Sequence, residues 1–169
     1  MNNLQRLIGL FNAAGARDPE CWAKSEINED IPQLARFLFL RGAWRSVVPE
    51  GETNWIEAYR KPAKDPSGPL AGISRALNRL LASGIDPRDL TEVVRVMQYE
   101  VLFSVCYLMD DPYPAMEGIE NAPPELSNIG WALFEIDEKG NVGRPIPSLH
   151  ESVLETDPTG RKMRPGRSG

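Results

Sequence analysis

The stretch Asp86–Asp111, DPRDLTEVVRVMQYEVLFSVCYLMDD, constrains the fold more than any other part of the chain. Asp86 suits a helix N-cap and Pro87 the first helical position, while Asp89 and Glu92 complement the positive end of the dipole. Pro112 closes the run, because proline cannot continue the backbone ladder. About 22 residues at helical rise span roughly 33 Å, the diameter of a small domain. At helical spacing, Arg88, Thr91, Glu92, Arg95 and Gln98 share one polar arc, and Leu90, Val93, Val94, Met97 and Val101 lie opposite. Between Val101 and Met109 only Ser104 is conventionally polar. A helix that is apolar all round is buried on all sides. The sequence therefore predicts a central helix over about 87–109, with Leu102, Val105 and Cys106 inaccessible. Glu100, flanked by apolar neighbours, is expected to be at least half-buried and paired, for example with Arg36, Arg41, Arg75 or Arg79.

Other helices are expected around that one. Asn3–Ala14 puts Leu4, Leu7, Ile8, Leu10 and Phe11 on one face, with Gly15 as C-cap. Asp18-Pro19-Glu20 starts a short helix that carries Cys21 and Trp22. Asp30 caps a third, IPQLARFLFLRG, which Gly42 ends. Thr53 caps two turns over NWIEAYRK. After the loop KPAKDPSGP, Pro69 opens an amphipathic helix with Leu70, Ile73, Leu77, Leu80 and Leu81 inward, terminated by Gly84.

Beyond Asp110 the periodicity changes. DDPYPAMEGIENAPPELSN is too rich in proline for regular structure, although Pro124 can open one helical turn. GWALFEID alternates like a strand and is followed by a turn at Glu138–Asn141 and a second short strand to Ile146. The fold class is thus mainly α, about five helices around the central one with a small hairpin over about 131–146. Residues 1–160 read as one globular domain, and 161–169 as a basic flexible tail.

Composition narrows the functional classes. Hydrophobic residues at 41% and charged residues at 25% fit an ordinary globular protein. The longest apolar run, nine residues with a serine inside, is too short to cross a bilayer, so no membrane contact is expected. The N-terminal apolar residues follow helical spacing and lack a basic start, which reads as a helix rather than a signal peptide. Cys21 and Cys106 have no metal or redox spacing, so a reducing cytoplasmic setting with free thiols is expected.

No catalytic motif is present: neither a nucleophile elbow, a zincin HExxH, a Walker loop nor a dinucleotide fingerprint. His150 is the single histidine, and with two scattered cysteines it offers no zinc set. No catalytic residue, metal or cofactor is therefore assigned. Carboxylates are the abundant resource. Between Arg95 and Lys139 there are nine acidic residues and no basic one. Residues 86–160 hold 15 Asp/Glu against 4 Lys/Arg, within a chain of net charge −5. Such a segment repels phosphates, which argues against direct nucleic-acid binding and favours a basic protein partner.

In size, acidity, helical content and lack of catalytic residues, the chain resembles in general character small bacterial inhibitor or immunity proteins that neutralise a toxin enzyme. The resemblance implies a non-enzymatic protein-binding module whose acidic surface meets a basic partner, including a nucleic-acid-acting enzyme. Its contact residues are expected to be Asp110, Asp111, Tyr113, Glu117 and Glu120. One alternative is a small carboxylate-based hydrolase or metal-assisted enzyme using Glu100, Asp110 and Asp111. Another is an oligomeric assembly protein.

Overall fold

A computed structural model describes residues 2–121 and 123–166. Its helices are α1 Asn3–Ala14, α2 Pro19–Glu29, α3 Gln33–Ala43, α4 Asn54–Tyr59, α5 Ala71–Ala82, α6 Pro87–Asp110 and α7 Leu149–Ser152. Short 3-10 turns occupy Trp44–Ser46, Tyr113–Met116, Pro124–Asn128 and Leu154–Thr156. Strands β1 Phe134–Ile136 and β2 Val142–Pro145 form an antiparallel hairpin with an irregular register between Phe134 and Ile136. The chain is mainly helical with one small hairpin, as its periodicities require.

The backbone divides into two compact units, Met1–Arg45 with Val101–Gly169, and Ser46–Glu100. In the first, α1, α2 and α3 enclose Leu7, Phe11, Ala23 and Phe37, with Trp22 against both phenylalanines. Asn2 caps α1 through Gln5 N–H at 3.0 Å, and Gly15 ends it at φ 84°, a backbone conformation that glycine adopts without a Cβ penalty. The α7 segment packs on α3. There Leu149 and Val153 are fully buried, and the buried Trp44 indole donates to the Val153 carbonyl at 3.0 Å.

Arg144 fastens the hairpin of this unit to α2. Its guanidinium meets Glu135 at 2.8 Å, Glu26 at 3.2 Å and Asp30 at 3.4 Å. Glu26 also accepts the Leu34 N–H at the start of α3, so one carboxylate serves both helices and the hairpin. A Cβ at Gly143 would stand 2.8 Å from the Glu135 side chain, so glycine there leaves Glu135 its path to Arg144.

The second unit has its own core of Ile56, Leu77 and Leu90, with Trp55, Ile73, Leu81 and Ile85 around it. Thr91 is fully buried. Its hydroxyl accepts the Trp55 indole N–H at 3.0 Å and donates to the Pro87 carbonyl at 2.8 Å. Gln98 accepts the Val48 N–H at 2.7 Å.

These contacts correct the expected faces of α6. The buried side carries Thr91, Arg95, Leu102 and Cys106, whereas Val93, Met97, Val101 (61% exposed) and Val105 (47% exposed) form an outward row at four-residue spacing. The helix is not surrounded. Polar side chains point inward because backbone groups in the irregular 47–53 segment, the Val48 N–H and the Glu52 carbonyl, take Gln98 and Thr91 as partners, and burying such groups unpaired is costly. Glu100 is likewise exposed and its side chain makes no hydrogen bond or ion pair among the described residues, which overturns its expected burial and pairing.

Smaller boundaries also differ. Asp30 does not cap α3. It closes α2 at φ 53°, and α3 starts after Pro32. Leu70 and Leu80 are exposed rather than inward. Arg161 to Arg164, placed by composition in a flexible tail, form a turn in which Met163 N–H reaches Asp157 at 2.9 Å.

Candidate protein-binding surface

The end of α6 fixes where the acidic segment begins. Asp110 is drawn inward: its side chain is 8% exposed, 2.6 Å from His150 Nδ1, and it accepts the His150 backbone N–H at 3.0 Å. Phe103 and Tyr107 meet the imidazole edge-on at 6.0 and 5.0 Å. The carboxylate therefore joins the end of α6 to the start of α7. It is a packing group in this structure. Its other oxygen, Oδ1, is buried without a partner. Arg36, buried nearby on α3, holds Ser152 Oγ at 3.4 Å. Burial pulls the Arg36 guanidinium below its ordinary value, while Glu151 and Asp110 oppose that shift.

Asp111 is half-buried and accepts the Tyr113 N–H at 2.9 Å, which starts the 3-10 turn Tyr113–Met116. That turn holds Tyr113 out at 72% exposure. Glu117 and Glu120 are exposed and, among the described residues, make no ion pair or hydrogen bond. Of the five residues expected at the surface, Tyr113, Glu117 and Glu120 are the exposed ones. Asp111 shapes the turn that presents them.

Periodicity did not assign the apolar part of this surface. Ile119, Ile129, Trp131, Phe134, Ile136 and Val142 are all exposed. Trp131 is nevertheless anchored, since its indole N–H donates to the Leu108 carbonyl at 2.7 Å. The hairpin turns its apolar residues outward because Glu135 and Arg144 occupy the side that faces α2. Alternation in GWALFEID separated these two sets of residues but could not tell which set faced the helices.

Hydrogen bonds lower the pKa of two hairpin carboxylates. Hydrogen bonding from Arg144 holds the Glu135 carboxyl below the usual 4.5 against the opposing effect of burial. At the hairpin turn, the Asn141 side chain and the backbone N–H groups of Lys139 and Asn141 hold Asp137 low.

Glu100, Asp110 and Asp111 line neither of the two clefts described in the structure. Among the described residues, no three His, Cys, Asp or Glu side chains gather as a metal site, and no helix is long and apolar enough to cross a membrane. No protein-family model, curated protein or solved structure matches the chain.

Proposed function

We propose that this chain is a non-enzymatic protein-binding module that presents an acidic, partly apolar surface to a basic partner, as an inhibitor or immunity protein does to a toxin enzyme. The observation that carries this reading is that Glu117 and Glu120 are exposed and uncommitted in a segment that also exposes Tyr113, Ile119 and Trp131. Charge at the rim steers a basic partner, and aromatic and aliphatic side chains supply the area that holds it. Monomeric proteins seldom leave large apolar patches bare without a binding role. The Tyr113 N–H bond to Asp111 and the Trp131 indole bond to the Leu108 carbonyl hold Tyr113 and Trp131 in place, which lowers the cost of ordering these two side chains on binding.

Affinity capture from the source cell tests the reading, comparing the native chain with the variant Tyr113→Ala/Glu117→Gln/Glu120→Gln. A basic protein retained by the native chain, lost by this variant and kept by Arg75→Ala/Arg79→Ala is the expected result. Equal capture by all three chains contradicts it.

A further inference from the structure

On the unit formed by Met1–Arg45 and Val101–Gly169, a cleft of about 480 Å³ has three arginines in its wall. Arg17 follows α1, Arg41 lies in the last turn of α3, and Arg45 sits one turn further on. Phe37 supplies an apolar wall, and Glu155 and Asp157 complete the rim.

The two carboxylates are already occupied. Glu155 pairs with Lys162 at 2.5 Å. Asp157 accepts Thr159 N–H at 3.0 Å, Thr159 Oγ1 at 2.6 Å and Met163 N–H at 2.9 Å. The Arg41 and Arg45 guanidinium groups are exposed and, among the described residues, make no hydrogen bond or ion pair. Arg17 is held in place, donating Nη2 to the Pro158 carbonyl at 2.8 Å. Its guanidinium lies against Gly160, at φ 70°, where a Cβ would collide with it. Most of its N–H groups are left for another acceptor.

Arg41 gains from the negative end of the α3 dipole, which explains one cation there. It does not explain a second at four-residue spacing and a third from another element, since like charges repel. Guanidinium groups match the oxygens of a phosphate in paired hydrogen bonds. The cleft is the size of a small-molecule site. We propose that it binds the phosphate group of a small phosphorylated molecule, with Arg17, Arg41 and Arg45 on the phosphate and Phe37 beside the organic part. This site is independent of the acidic surface.

Inorganic phosphate is the probe, titrated at constant ionic strength into the isotopically labelled full chain while backbone amide signals are followed. Saturable shifts at Gly15, Arg17, Arg41, Arg45 and Thr156 are expected. Arg41→Ala/Arg45→Ala should weaken binding about tenfold or more, because two charge-assisted contacts are lost, and should leave the chain folded, with only the small loss in thermal midpoint that follows from removing Arg41 at the end of α3. Arg41→Lys/Arg45→Lys, which keeps charge but loses the fork, should fall between. Arg75→Ala/Arg79→Ala should bind as the native chain does. Absence of saturation, undiminished binding by the double alanine variant, or acetate binding as tightly as phosphate overturns the proposal.

Discussion

The Asp110 carboxylate lies 2.6 Å from Nδ1 of His150 and accepts the backbone N–H of the same residue. One side chain thus satisfies two polar groups forty positions away in sequence. Asp110→Ala should lower stability by about 1–3 kcal/mol, the cost of leaving a buried donor unpaired. Asp110→Asn, which keeps an acceptor oxygen, should cost less. Urea unfolding reads both as a shift in midpoint at constant slope. An unmoved midpoint for the alanine variant contradicts the packing role given to Asp110.

The corrected faces of α6 separate two neighbouring residues. Leu102 is buried, so Leu102→Ala should cost about 2–5 kcal/mol. Val105 is outward, so Val105→Ala should stay within about 0.5 kcal/mol. Equal losses at the two sites in thermal unfolding contradict this orientation of the helix.

Thiol chemistry distinguishes the two cysteines. Cys106 is fully buried, and burial, with a smaller effect from Asp110, pushes its thiol up to about 11. Cys21 is exposed. A thiol-specific alkylating reagent near neutral pH should label Cys21 alone in the folded protein and both residues in denaturant. Peptide mass spectrometry reads the site, and native-state labelling of Cys106 contradicts its burial.

The Glu135–Arg144 pair makes hairpin anchoring depend on acid. Because Glu135 is held below its ordinary 4.5, the folded state releases its proton more readily than the unfolded state does. The stabilisation is present above 4.5 and is lost as pH falls through the depressed folded value. Protection of hairpin amides, taken relative to the intrinsic exchange rate at each pH, should therefore show an excess loss on acidification below 4.5, and Glu135→Gln should remove that excess. An excess that persists in the variant contradicts it.

Local signals made much of the architecture legible. Capping at Asp18-Pro19, the glycine after Ala14 and the onset of alternating periodicity near Gly130 locate α1, α2 and the hairpin within a few residues. What stayed hidden depends on partners distant in sequence. Thr91 and Gln98 look like solvent residues until Trp55 and Val48 are brought to them. Asp30 carries the composition of an N-cap but lies where α2 ends. Asp110, expected at the contact surface, is drawn inward by its bond to His150, forty positions away. The arginine cleft was equally hidden, since Arg17 and Arg41 are brought together only by the packing of α1, α3 and the 155–158 segment.

Association kinetics test the central claim most directly. Exposed charges act over about 8–10 Å near physiological ionic strength, so attraction from Glu117 and Glu120 should be screened by salt. Once the captured basic partner is purified, stopped-flow mixing should show an on-rate that falls steeply as salt rises. Glu117→Gln/Glu120→Gln should slow association at low salt and flatten that dependence, with the thermal midpoint unchanged. An on-rate and salt dependence identical to those of the native chain would show that this acidic segment is not the binding surface.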